Sequence, residues 1–481
     1  MTQPTALSAL CKKLVLPAFI FLFCTYSSFS QQASGSQTFD SLQSYIEKNY
    51  AGFADKVNPQ TQKAYQALTK RLSEYAKRTQ SPAEQYYIIQ NWLDFFKDHH
   101  LYIDFFPDTA HTEKIPVDEK QIQQLYHTSP ASIAGIYYSD DSVYKVAVIK
   151  NTKGIRSYAG VILSSQTPLW KTGQLKFELI ETGINQFTGI WYNRAHFIRY
   201  TTIQFTAAKG LSAEGWYKHG TTIKKGTATA AVAIPNRFEE EKQLSTFFKK
   251  LNDSTGYLRI KSFDGSQARG IDSVLTANKQ NIQSMPRLII DLRGNGGGSD
   301  YSMSFLRPML YTNPVKNIGV DLLTTPDNTA AWERAIKQYR GQLPDRYLDD
   351  ALKKIHQGDG KARAFINFVP DYIDTLPGVW PNPAKVAIII NGGCGSATEE
   401  FLLVARQSNK VTFAGEHSKG GLDYSNVVRK DFSYPPFTLV YPTTRSRRID
   451  VGLGIDNKGI QPTIPLNLTT DHWLDELMRK W

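Results

Sequence analysis

The stretch Lys385-Val386-Ala387-Ile388-Ile389-Ile390-Asn391-Gly392-Gly393-Cys394-Gly395-Ser396-Ala397-Thr398-Glu399-Glu400-Phe401-Leu402-Leu403-Val404-Ala405 decides the fold class. Val386 to Ile390 is an unbroken apolar run, as expected of a strand buried on both faces of a parallel sheet. The glycines that follow break it. From Ala397 the apolar residues recur at helical spacing, so the segment reads as strand, tight turn, helix. Such a junction puts Ser396 at a helix N-terminus, where outward-pointing backbone amides favour negative charge. That setting suits a nucleophile whose attack creates an oxyanion. Spacing alone favours a plainer reading, in which Ser396 is an N-cap and Glu399 completes a capping box.

Two familiar strand-turn-helix chemistries are excluded. The nucleophile elbow of α/β-hydrolases needs glycines two before and two after the serine, and Cys394 and Thr398 stand there. A second apolar strand, Arg287 to Leu292, ends in Gly294-Asn295-Gly296-Gly297-Gly298 with no following Lys-Ser/Thr pair, so it is not a phosphate loop. That turn could supply an oxyanion amide; spacing alone favours a structural tight turn. Around these two strands the α/β pattern extends from about residue 236. Tyr257 to Ile260 reads as a strand, Ile271 to Ile282 as a helix and Val411 to Ala414 as a short strand. Residues 328–375 are polar and read as a helical insertion over the core.

Further upstream the periodicity changes. Between 130 and 235, short alternating runs (135–138, 144–149, 159–163, 175–180) are separated by turn residues, the pattern of an antiparallel, barrel-like β domain. Between 38 and 104, Phe39, Leu42 and Ile46, then Tyr65, Leu68 and Leu72, then Ile88, Trp92 and Phe96 recur at helical spacing, with a helix start at Ser81-Pro82 and Glu84. With 481 residues, 41% of them hydrophobic, the chain is long enough for several domains with real cores. Its net charge of +12 is spread over short runs, so it reads as a solvated basic surface and not as a nucleic-acid footprint. Lys12-Lys13, the apolar Leu14–Phe23 and the small polar residues to Ser30 form an export signal cleaved near Ser30, too short for a stable membrane span. Of the three cysteines, Cys11 and Cys24 leave with it, and Cys394 alone cannot form an intrachain disulfide. The histidines show no metal-ligand spacing, so neither metal nor cofactor is implied.

Five ordered blocks carry a resemblance: Tyr257 to Phe263, Leu288 to Gly298, Gly395 to Glu399, Gly415-Glu416-His417-Ser418-Lys419-Gly420-Gly421, and Gly459-Ile460-Gln461-Pro462. Together they resemble the tail-specific (C-terminal-processing) serine peptidases, a family that also holds the tricorn protease core and the interphotoreceptor retinoid-binding repeats. The resemblance covers roughly residues 236–470, with a weaker match at 90–104. Joined to the patterns above, it gives a multidomain α+β protein: signal peptide 1–30, helical N-terminal domain 31–125 and antiparallel, barrel-like β domain 126–235, all read from the residues, and an α/β catalytic domain over 236–481 that the resemblance implies to be of the ClpP/crotonase-like type. It makes Ser396 the nucleophile. Processing proteases take their base from a lysine at the place of Gly421, with Lys419 two residues early. The tricorn-like branch takes a histidine from the helical domain, and His100 falls on it, with His99 as neighbour and rival. That branch also has an acid three residues before the last block, here Asp456. The implied triad is therefore Ser396, His100 and Asp456, with the oxyanion held by amides of Ala397 and of the Gly296-Gly297 turn, and with His417 and Lys419 near the substrate. Departures from the pattern are Thr463, where the family has Asp after its proline, and His99-His100-Leu101 around the base.

The resulting expectation is an exported serine peptidase acting on peptide or protein substrates through an acyl-enzyme. Its rivals are a catalytically weak relative that binds an apolar ligand or peptide, and a Ser-Lys processing protease using Lys419.

Overall fold

The computed structural model describes residues 35–105, 112–220, 246–341, 344–361, 363–470 and 472–481. The expected export signal, with Cys11 and Cys24, lies outside them. The chain is a mixed α+β protein whose strands form several sheets.

Among the described residues four helices come first: α1 (Gly35–Asn49), α2 (Phe53–Lys56), α3 (Gln62–Arg78) and α4 (Pro82–Leu93). The predicted start of α4 is realised locally. Ser81 is extended, its hydroxyl accepts the Glu84 amide at 3.4 Å, and Pro82 occupies the first turn, where its missing N–H costs nothing. The helices share a buried aromatic cluster in which Trp92 and Phe96 meet edge to face and Tyr65 packs on both. Burying each such ring is worth about 1.5–3 kcal/mol. After α4 the chain makes one 3₁₀ turn, reverses at Lys97 in the left-handed region (φ 48°), and enters strand β1 (Tyr102–Phe105). His99 and His100 sit on that reversal.

Helix α5 (Glu119–Tyr126) leads into a seven-stranded antiparallel sheet made of β2 (Gly135–Ser139), β3 (Tyr144–Lys150), β4 (Tyr158–Ser165), β5 (Leu175–Gly183), β6 (Gln186–Tyr192), β7 (Ile198–Gln204) and β8 (Trp216–Lys218), in the order β7-β6-β5-β4-β3-β2-β8. The alternation seen in the sequence sorts the two faces. Val146, Val148, Phe177 and Leu179 share one core, and Ala147, Ile149, Ala159 and Val161 share the other with Leu125 of α5. The barrel-like expectation is corrected: among the described residues β7 and β8 are the two edges of an open sheet. Helix α4 takes up the β7 side. Tyr200 of β7 packs edge to face on Tyr87 and its hydroxyl bonds Asp94, while Glu84 accepts the Ile155 and Arg156 amides.

Two larger sheets and a two-stranded one, β12 (Val315–Asn317) with β15 (Tyr372–Asp374), build the remainder. The first runs β20-β17-β16-β11-β10-β9, and every neighbouring pair is parallel except β10 with β9. It comprises β9 (Phe247–Asn252), β10 (Thr255–Arg259), β11 (Arg287–Asp291), β16 (Lys385–Ile390), β17 (Val411–Gly415) and β20 (Ile464–Pro465). Its two apolar runs are buried on both faces, as their unbroken hydrophobicity requires. The single helix expected over 271–282 is two, α6 (Ala268–Ala277) and α7 (Lys279–Ser284), because Asn278 leaves helical geometry and bonds back to the Val274 carbonyl.

The second sheet is antiparallel. Strand β19 (Pro436–Ser446) pairs with β18 (Tyr424–Ser433) along one side, and with β1 and β13 (Val320–Thr324) along the other; β14 (Ala364–Val369) pairs with β13. The 328–375 insertion is therefore only partly helical. It holds α8 (Pro326–Lys337) and α9 (Asp345–Ile355), but its end contributes β14 to this sheet. Pairing of Tyr102 with Val440 and of Phe105 with Phe437 carries the N-terminal reversal to the α/β core.

Candidate active site

Strand β16 ends at Ile390, and α10 (Ala397–Ala405) begins just after Ser396. Ser396 has φ 55° and ψ −127°, and its side chain makes no capping bond. A non-glycine residue in this sparsely populated region is strained by roughly 1–3 kcal/mol and persists only where its surroundings enforce it. Here the Ser396 amide donates to the Gly421 carbonyl (3.2 Å), the Gly395 amide to the Asn295 carbonyl (3.2 Å), and Thr398 Oγ1 to Asn295 Oδ1 (2.9 Å). The capping-box reading fails on geometry, because the Glu399 carboxylate faces the Ser418 hydroxyl and the Gly420 and Gly421 amides.

His100 Nε2 lies 3.1 Å from Ser396 Oγ. Its Nδ1 lies 2.8 Å from the Tyr424 carbonyl oxygen. A carbonyl only accepts, so Nδ1 carries the proton of the neutral ring, and the Nε2 lone pair is left to accept from the serine. Burial pushes the His100 pKa below 6.5, and Lys419 adds to that; the Tyr424 carbonyl, Asp456 and Glu399 oppose it. His99 is exposed, and its Cβ packs on Gly421.

Asp456 requires a correction. It was expected to orient the imidazole, but its Oδ2 pairs with Lys56 Nζ at 2.7 Å, and the Nδ1 position is held by the Tyr424 carbonyl. Asp456 acts on His100 through its charge and not through a hydrogen bond. Burial, together with nearby Asp98 and Asp423, pushes its own pKa up to about 7 against the pull of Lys56. These two other acids escaped sequence reasoning. Asp98 accepts the His100 backbone amide (2.8 Å) and the Tyr50 hydroxyl (2.7 Å), and burial raises it to about 6. Asp423 accepts the Ile455 and Asp456 amides at 2.6 and 2.8 Å.

The Gly294–Gly298 turn packs directly against the serine junction, and a Cβ at Gly297 would lie 2.8 Å from the Ala397 nitrogen. One expected donor needs correction: the Gly297 amide donates to Asn295 Oδ1 (3.1 Å) and is committed within its own turn. Ala397 and Gly298 line the cavity beside Ser396, whereas Gly296 does not. His417 and Lys419 are exposed and do not line it either. The His417 ring bonds the Ser418 carbonyl, and the Lys419 stem lies against Gly395. The cavity, about 240 Å³, opens from Ser396 and His100 between Leu422, Val427, Val428, Val320 and Trp332. Cys394 is fully buried, its thiol donates to the Leu292 carbonyl, and burial pushes its pKa up to about 11. Among the described residues no three His, Cys, Asp or Glu side chains converge as a metal site, and no helix is long and apolar enough to cross a membrane.

In sequence, residues 254–466 match the profile of peptidase family S41, and no curated protein matches the chain. In structure, the chain is similar to mature CPAF, with 13% identity, a TM-score of 0.51, and 93% of this chain and 96% of the other aligned. It is also similar to a serine-to-alanine mutant of CPAF, with 11% identity, a TM-score of 0.50 and coverages of 92% and 94%. At such identity these likenesses speak for the fold alone. Residues 254–466, the segment that carries all five motif blocks, match peptidase family S41, that of the tail-specific serine peptidases.

Proposed function

We propose that the protein hydrolyses peptide bonds with Ser396 as nucleophile and His100 as its base. The observation that carries this reading is the 3.1 Å contact between Ser396 Oγ and His100 Nε2, made across 296 positions of chain, with the ring's other nitrogen held by a carbonyl. Ser396 Oγ attacks the peptide carbonyl carbon and its proton passes to Nε2. The resulting oxyanion meets the Ala397 amide and an amide of the glycine turn, for which Gly298 is better placed than Gly297. Collapse expels the amine, which takes the proton from His100. Water, deprotonated by the same nitrogen, then releases the acyl group.

Substrates are peptides or proteins, and the apolar walls of the cavity favour an apolar side chain beside the cleaved bond. The division into a helical domain, a β domain and a ClpP/crotonase-like domain, and export through the Lys12–Ser30 signal, belong to the same proposal. The Ser-Lys alternative is disfavoured by the exposure of Lys419 and by the placement of His100 on the serine. A fluorophosphonate probe tests the reading. Mass mapping should find the label on Ser396 and none in Ser396→Ala; an unlabelled wild type, or equal labelling of the variant, refutes it.

A second prediction separates Asp456 from a triad acid. An acid that fixes the imidazole tautomer is worth about 10⁴-fold in kcat. Since the Tyr424 carbonyl holds Nδ1 here, Asp456→Asn should cost about tenfold or less, read as kcat on a fluorogenic peptide. A loss near 10⁴-fold would mean that Asp456 moves onto His100 during turnover.

A further inference from the structure

The loop 418–421 bonds the serine turn and the segment bearing Asp456 and packs on His99, and one buried side chain holds it. Glu399 is wholly buried and has no ion-pair partner among the described residues. Burying such a charge costs several kcal/mol unless hydrogen bonds meet it. Its Oε1 accepts the Ser418 hydroxyl (2.6 Å) and the Gly420 amide (2.7 Å), and its Oε2 accepts the Gly421 amide (2.8 Å). The loop then distributes that anchorage. The Gly421 carbonyl holds the Ser396 amide at 3.2 Å. Gly421 presses on His99, where an added Cβ would sit 3.0 Å from the histidine's own. Ser418 Oγ accepts the Ile460 amide (2.7 Å), and the Gly420 carbonyl accepts the Asn457 amide (2.9 Å), so the segment bearing Asp456 rests on the same loop.

We propose that Glu399 is the positioning residue that sets Ser396 against His100, by pinning the 418–421 loop on which the serine turn and the histidine reversal both rest. The proposal deepens the Ser396–His100 reading and rests on it. Only a carboxylate suits the place. All three partners donate, and a glutamine would turn its NH₂ toward at least one of them. Released from Glu399, the loop lets the strained Ser396 backbone relax away from Nε2, and misplacement by about 1 Å costs on the order of 100-fold in rate.

The test is Glu399→Gln, made in the whole protein and checked for folding by thermal melt, with kcat, KM and the pH profile read on a fluorogenic peptide. The expected result is a kcat lower by about 100-fold with KM little changed. The acid limb of the remaining activity should also move to lower pH. The groups that set the His100 proton affinity are Asp456, Glu399 and the Tyr424 carbonyl, which raise it, and burial and Lys419, which lower it, so loss of the Glu399 charge lets it fall. A residue that only filled space would not move that limb. A folded Glu399→Gln with wild-type kcat and an unmoved limb overturns the proposal. Should that variant not fold, Ser418→Ala takes its place: it removes one donor and keeps the charge, so kcat should fall about tenfold with the limb unmoved, and wild-type kcat there overturns the proposal. Ser396→Ala runs beside both. If it retains activity, the underlying reading has failed, and not the role of Glu399 alone.

Discussion

His100→Ala should lower kcat by about 10⁴–10⁶-fold, the loss typical when one member of a serine–histidine unit is removed. The folded protein should survive, since the ring's bonds run to one hydroxyl and one carbonyl only. The pH profile of the wild type makes the prediction sharper. His100 must be neutral to accept the serine proton, and burial holds its pKa below 6.5. Activity should therefore persist at pH 6.5 and fall only as the pH drops through that lowered value. A lysine base would give the opposite picture, an activity still rising well above neutrality, because an amine must first lose its proton. Rates that climb through pH 8 to 9, with His100→Ala active and Lys419→Ala dead, would hand the reaction to the Ser-Lys mechanism.

The parts of this site differ in how readable they are from sequence, and the difference is physical. Ser396 is legible because its neighbours along the chain make its surroundings: an apolar strand before it, glycines around it and a helix after it. His100 has no such local signal. It reaches the serine because β1 pairs with β19, a contact between residues near 100 and near 440 that no local pattern encodes. Only the motif resemblance pointed to it. The partner of Nδ1 was out of reach altogether, since it is a backbone carbonyl, and Tyr424 offers that group whatever its side chain. Asp456 was misassigned because sequence position does not reveal that Lys56, some 400 residues earlier, claims the carboxylate. Glu399 was read as half of a capping box because its spacing from Ser396 fits one; the positive φ of Ser396 breaks that geometry and frees Glu399 for the 418–421 loop. The same limit explains the fold. Buried strands with unbroken apolar runs, β11 and β16, stand where expected. The hairpin β18–β19 and strand β14 were not separated from their surroundings, because the half-exposed, mixed faces of β18 and β14 blunt the alternation that marks a strand.

Gly297→Ala should be nearly as damaging as loss of a donor to the oxyanion, about 10²–10³-fold in kcat, although the amide itself remains. Gly297 sits at φ 101°, where an L side chain is strained by roughly 1–3 kcal/mol. The added methyl would also stand 2.6 Å from the Gly395 carbonyl oxygen and 2.8 Å from both the Ala397 nitrogen and Ser396 Cβ. Two of these are backbone atoms of the serine junction, so neither can swing aside. The turn must back away, and the space where the oxyanion would meet the Ala397 amide is filled or widened. Gly296→Ala is the matched control: its methyl would meet nothing within 4 Å, and its φ is not positive. In parallel assays the Gly296 variant should keep wild-type kcat within a few-fold, while the Gly297 variant loses both turnover and fluorophosphonate labelling with its fold intact. Wild-type turnover in Gly297→Ala would show that the oxyanion forms away from the glycine turn, and the proposed geometry of attack would have to be abandoned with it.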